Sequence, residues 1–163
     1  MEADPSHELV IGAKILAQVE ELSKLPAEIE GGYKPPSKWV VYRGWREENG
    51  VLAKASRLVS EVRIARLTST VVEAVVPSES EPGKTYAVKV YVSPLDFECS
   101  CPHGELRFNP CKHVIAVVLK LIYDALNAAG LNDESLRLRV ADVVYEGLSK
   151  LAYIKARTSS GAV

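Results

Sequence analysis

The three cysteines of this 163-residue chain all fall, with one histidine, in the string CSCPHGELRFNPCKH, which runs from Cys99 to His113. Soft thiolates and one imidazole suit a d¹⁰ ion with no geometric preference of its own. Four protein ligands with none left over describe a structural zinc rather than a catalytic one. In an extended segment residues two apart point to one face, so Cys99 and Cys101 converge on a single ion. Cys111 and His113 need another explanation, because two residues two apart on a regular helix lie about 200° apart. Their spacing places the pair at a loop-to-helix junction. Asn109 reads as the N-cap, Pro110 as the proline tolerated at the first helical position, and VIAVVLKLIYDAL as an apolar helix up to Gly130. The partial positive charge of that helix start favours a nearby thiolate.

His103 follows Cys101 by two residues and is a fifth donor. It is able to replace one ligand, but solvent exposure or a hydrogen bond behind a ligand explains it as well. His7 has no such neighbours and reads as an ordinary residue at the start of a helix. Asp96, Glu98 and Glu105 read as solvated loop acids. A zinc with four protein ligands has no open position for water, and no nucleophile, base and orienting group stand together, so the expectation is a protein that is not an enzyme.

The elements that position these ligands follow from patterning. Ser6 caps a first helix to about Lys24, with Leu9, Val10, Ala13, Leu16, Ala17 and Glu20 on its packed side and Pro26 ending it. A glycine- and proline-rich linker follows, and then WVVYRGWREENGV, a short hairpin or an irregular segment. Residues 53–60 suit a short helix. Val62, Ile64, Val71, Val72 and Val76 fall in a β-rich stretch, 77–83 is a turn, and TYAVKVYVS returns with Tyr86, Val88, Val90 and Val92 on one face and Ala87, Lys89 and Tyr91 on the other. Ser93-Pro94-Leu95-Asp96 turns the chain into FECSC, which sets the first two ligands at the end of a sheet. Asn132 or Asp133 caps a last helix through about Lys155, buried along Val140, Val143, Val144, Leu148, Leu151 and Ala152, and RTSSGAV is a frayed tail. The fold class is α+β: a small antiparallel β-sheet and a helix around the zinc, flanked by N- and C-terminal helices. The segments 1–57, 58–130 and 131–163 are read as parts of one compact domain, of a size that buries roughly two-thirds of its unfolded surface.

The first residues carry two acids and a proline where a secretory signal needs basic and apolar stretches, and the longest apolar run falls short of the roughly 20 residues of a membrane span. With every cysteine on the metal, a disulfide framework is excluded, in keeping with a reducing, cytoplasmic location. One glutamine and one methionine among many Val, Glu, Arg and Lys lean toward a thermophilic composition. The formal net charge of −1 argues against a uniformly basic surface, yet residues 1–32 are acid-rich and residues 33–66 base-rich. The two stretches are suited to pairing with each other, or the basic one to facing a polyanion. Within it, Lys38, Arg43 and Arg46 interleave with Trp39, Tyr42 and Trp45, a composition suited to stacking bases while neutralising phosphates, although core packing is the rival use of the tryptophans.

CSC, nine residues and CKHVIA together resemble the SWIM zinc finger, whose signature is C-x-C, a variable spacer and C-x-H. The resemblance covers roughly residues 58–125 and implies Cys99, Cys101, Cys111 and His113 as zinc ligands. SWIM modules occur in Swi/Snf-type ATPases, MuDR-like transposases, a MEK-kinase kinase and the SWIM subunit of the Shu recombination complex. The Shu-type proteins are short chains whose motif extends to an alanine three residues after the histidine, matched here by Ala116, where a small side chain lets the helix approach the sheet. That resemblance implies a non-catalytic adaptor that pairs with a RecA/Rad51-like paralogue ATPase in homologous recombination and DNA repair. The chain has no G-x-x-x-x-G-K-[ST] loop, so the ATPase is expected to be the partner. The alternative is a direct DNA-binding module that uses the basic-aromatic segment and is associated with the nucleoid.

Overall fold

The computed structural model describes residues 5–24, 51–101 and 111–160. Helix α1 spans Pro5–Ser23 and α2 spans Val51–Leu58, which runs into a 3₁₀ turn at Val59–Glu61. Four strands follow: β1 Arg63–Leu67, β2 Val71–Pro77, β3 Thr85–Val92 and β4 Leu95–Cys99. Helices α3, Lys112–Ala128, and α4, Glu134–Ser160, complete the order. The α+β architecture with an antiparallel meander is as expected. Its strands lie in the order β1-β2-β3-β4, each paired antiparallel with the next.

Alternation explains the sheet. In β2, Val72, Ala74 and Val76 are buried, and in β3 so are Val88, Val90 and Val92, while Ala87 and Lys89 are exposed, so one face meets the core and the other meets solvent. The turns carry their own hydrogen bonds. Thr68 Oγ1 accepts from the backbone N–H of Val71 at 3.0 Å, and Ser78 Oγ accepts from that of Glu81 at 3.0 Å. The β3–β4 connection is tighter than expected: only Ser93 and Pro94 lie outside the strands, and Leu95 and Asp96 already belong to β4.

Helix α3 packs against α1, α2, α4 and the inner faces of β3 and β4. From His113 to Leu119 every residue is buried, as are Leu121, Ile122 and Ala125. The helix ends at a left-handed Gly130, with φ +80°. Gly130 N–H donates to Asn127 O at 3.0 Å and Leu131 N–H to Leu126 O at 2.8 Å, the paired bonds of a Schellman motif. Residues of α1, α2, β2, β3, β4, α3 and α4 form one apolar cluster, and Ile64 and Leu67 of β1 pack against it.

Two helix expectations are corrected. The packed side of α1 is Ile11, Gly12, Ile15 and Val19, whereas Val10, Ala13, Ala17 and Glu20 are exposed. The reason is that α1 lies against two helices: a Cβ on Gly12 would stand 2.5 Å from Ala125 Cβ of α3, and one on Gly147 of α4 would stand 2.5 Å from the Val19 carbonyl oxygen. Backbones this close need glycine, so the contact stripe runs through Gly12 instead of through the larger Val10. In α4, Val140, Val144, Leu148 and Ala152 are buried as expected, with Val143 and Leu151 half-buried, but the helix continues through Arg157–Ser160, residues read as part of a frayed tail. Among the described residues, no helix is long and apolar enough to cross a membrane.

Candidate metal centre

Cys99 is the last residue of β4, opposite Val88 of β3. Ser100, between the two cysteines, continues the ladder one residue further: its N–H donates to Ala87 O at 3.0 Å, and its Oγ accepts from Ala87 N–H at 2.9 Å. This pair of hydrogen bonds to β3 fixes the backbone on either side of Ser100 and so aims Cys99 and Cys101 together.

On the helical side the structure moves the expected boundary. Helix α3 begins at Lys112, and its N-cap is Cys111, extended at φ −76° and ψ 161°. Asn109 and Pro110, read as the cap and the first helical position, lie outside the described residues, and the described helix is capped two residues after Asn109. Cys111 O accepts from Ile115 N–H at 3.2 Å, which makes it the first carbonyl of the helix. The junction reading itself holds. One extended residue followed by helical ones removes the divergence of about 200° by which this spacing would fail on a regular helix.

The four donor atoms of Cys99, Cys101, Cys111 and His113 lie within 4.8 Å of one another. Cys101, Cys111 and His113 are buried and Cys99 is half-buried. His113 Nδ1 stands 3.8 Å from Cys99 Sγ. Bond lengths of about 2.3 Å to sulfur and 2.0 Å to nitrogen give an S···N edge of roughly 3.6 Å in a tetrahedral zinc site. The Nε2 atom of the same ring is buried with no hydrogen-bond partner among the described residues. A buried imidazole so poorly satisfied is costly unless a metal takes one of its nitrogens.

The thiols show the same need for a cation. The Cys111 thiol is driven down to a pKa of about 4, first by a hydrogen bond from Cys99 and further by His113 and the Val114 amide, against the effect of burial. Cys99 moves the opposite way, because its proton is held on the Cys111 sulfur and because burial disfavours a second thiolate beside the first. Two adjacent sulfurs, one buried and one half-buried, do not both ionise without a positive charge between them, and a divalent ion would supply it. The donor set fits zinc, which would be held by Cys99, Cys101, Cys111 and His113.

Three supporting contacts, those of Tyr86, of the Lys112–Glu79 pair and of Ser100, were not singled out from the sequence. The Tyr86 ring packs on the His113 imidazole with centroids 4.8 Å apart. It shares the inner face of β3 with Val88 and Val90, so the alternation of that strand already carried the signal. Lys112, between the two helical ligands, pairs with Glu79 from the β2–β3 turn. That carboxylate lies near the start of α3, where negative charge is favoured, and its pKa is lowered chiefly by the Lys112 hydrogen bond. Ser100 is the third. Ala116, one turn beyond His113, is fully buried on the helix that packs against β3. His103 and the basic-aromatic residues Lys38, Trp39, Tyr42, Arg43, Trp45 and Arg46 lie outside the described residues.

No curated protein and no solved structure matches the chain. The family model of the SWIM zinc finger matches residues 88–122, which take in most of β3, all of β4 and α3 as far as Ile122, a narrower span than 58–125. The four ligand side chains are gathered inside that span, so residues 88–122 are similar to a SWIM zinc finger in both sequence and donor set, and the cluster supports the binding of zinc.

Proposed function

We propose that this protein is a non-catalytic adaptor that docks a RecA/Rad51-paralogue ATPase in homologous recombination and DNA repair. The observation that supports the non-catalytic part is the ligand set: four protein donors within 4.8 Å of one another, three of them buried, suffice for a four-coordinate zinc, which would leave no position for a reacting water. The adaptor part rests on the resemblance to the short Shu-type subunits. Ala116, three residues after His113, is buried as that motif would require. The sequence has no phosphate-binding G-x-x-x-x-G-K-[ST] loop, so ATP chemistry belongs to the partner. The work of the zinc is then to hold β4 to the start of α3, and through them the surface that the partner meets.

A second reading, direct binding of single-stranded DNA, is favoured by one sequence observation, the interleaving of cations and aromatic rings from Lys38 to Arg46. The two are separated by one pair of measurements on the full chain. Recovery of a RecA-fold ATPase on the tagged protein from extract, without nucleic acid in the eluate, supports the adaptor. Tight single-strand binding by the purified chain that falls steeply with salt, and is lost in a Trp39→Ala, Arg43→Ala, Arg46→Ala variant, supports the alternative.

A further inference from the structure

The outer face of the sheet is built from three cross-strand rows. The pairings place Arg66, Glu73, Lys89 and Glu98 side by side, one from each strand. On one side of this row lie Val75 and Ala87, with Arg63 and Ser100 at the ends. On the other lie Val71 and Tyr91, with Asp96 beside Tyr91. Arg66 reaches the row through an irregularity: the register of β1 shifts between Ile64 and Arg66. Without that extra residue Ala65 would oppose Glu73, and Arg66 would turn toward the core. The chain thus breaks the regularity of its edge strand at the one place where doing so completes a row of charges of the order plus, minus, plus, minus.

Cross-strand ion pairing within one sheet is the simplest use of such a row. It accounts for Arg66 and Glu73, whose charged atoms are 3.8 Å apart. It does not account for Lys89 and Glu98. They are directly opposed in register and both exposed, yet neither forms an ion pair among the described residues.

We propose that this face is the interface of a homodimer, in which a second copy of the chain stacks its sheet on the first about a two-fold axis parallel to the strands. That operation keeps each row in place and reverses the strand order, so β1 faces β4 of the other copy and β2 faces β3. Arg66 then meets Glu98 of the second copy and Glu73 meets Lys89, each contact occurring twice. Val71 meets Tyr91, and Val75 meets Ala87. Every charge of the central row faces its opposite, and the central apolar groups face apolar groups. The other in-plane axis, perpendicular to the strands, would set Arg66 on Arg66 and Lys89 on Lys89, so the charges select one arrangement. Four strands about 4.8 Å apart and about five residues at about 3.3 Å each make a patch of roughly 19 by 17 Å. This is at the small end of specific interfaces, so the dimer is a weak one, in the micromolar range.

Two charge reversals test the pairing across copies separately from any effect inside one sheet. In Glu73→Lys homodimers the introduced lysine faces Lys89, and in Lys89→Glu homodimers the introduced glutamate faces Glu73. When the two variants are mixed, the new lysine of one copy faces the new glutamate of the other, and the native Lys89 of the first faces the native Glu73 of the second. The expected results by sedimentation velocity of the zinc-loaded full chain are a concentration-dependent dimer for the wild type, at least a roughly tenfold weaker one for each variant alone, and recovery on mixing. Circular dichroism and metal content establish that each variant is folded. A wild type that stays monomeric at several hundred micromolar (on the scale set by a patch this small), variants that dimerise unchanged, or a mixture no more associated than its components would each overturn the proposal.

Discussion

Cys111→Ser separates the metal from the helix it introduces. Cys111 is both a zinc donor and the N-cap of α3, and serine is among the best N-cap residues, so the substitution removes a thiolate without uncapping the helix. In small peptides a structural zinc is worth about 10–16 kcal/mol, but there the metal carries the whole fold. Here β4 and α3 also share an apolar cluster with the other elements, so the relevant quantity is the loss of saturation by the ion. If removal of one of four ligands takes the site from about a thousandfold above its Kd to unsaturated, about 4 kcal/mol is lost. A chain of this size shifts by about 2–4 °C per kcal/mol, so the midpoint falls by roughly 8–16 °C. Thermal unfolding followed by circular dichroism, with and without a chelator and with metal content measured on the same samples, gives the answer. Chelator should bring the wild type down to the variant and leave the variant unmoved. A Cys111→Ser protein that holds one zinc per chain and melts with the wild type refutes the assignment of the ligands and the account of the junction together.

Other outcomes follow from the packing. Gly147→Ala forces α1 and α4 apart, because the new Cβ meets the Val19 backbone at 2.5–3.1 Å. The strain of about 1–3 kcal/mol exceeds or cancels the gain of about 1 kcal/mol in helix propensity, so the urea midpoint falls or stays level and does not rise. Gln18→Ala removes the side chain that donates to Val92 O and accepts from Leu95 N–H at 2.8 Å, and should cost about 1–2 kcal/mol in denaturant titration, with hydrogen exchange rising at Leu95. Glu79→Gln tests the ion pair beside the metal. The Lys112 hydrogen bond lowers the Glu79 pKa below 4.5, so its contribution is present above that value and is lost as pH falls through the lower folded value. The pair is partly exposed, so the stability gap between wild type and variant stays under about 1 kcal/mol at neutral pH and closes below pH 4.5.

The site was more legible than its frame. Cys99, Cys101, Cys111 and His113 could be read as a group because no other use of those residue types explains their spacing. The meander was legible because Val72, Val76, Val88, Val90 and Val92 alternate with exposed residues, and period two survives without knowledge of the neighbours. What failed depended on partners. The face of α1 was misread because apolar spacing alone does not distinguish Val10 from Ile11, whereas the close approach at Gly12 is set by where α3 lies. The start of α3 lies two residues later than the Asn109-Pro110 signal suggests, because such a local signal does not register that Cys111 must be extended for its side chain and that of His113 to converge. Ser100 and Glu79 carry no signal that separates them from ordinary loop residues, since each acts through a residue distant in sequence.

The enclosure of α3 has a consequence for any communication between the zinc and the outside. From His113 to Ile122 only Lys120 escapes full burial, so the rod that grips the ion offers almost no side chain for another molecule to touch. Whatever senses the loading state of the finger must do so second-hand, by feeling where the surrounding helices and the bare side of the meander have come to rest. Loss of the ion would therefore register on distant parts of the exterior as a change of posture.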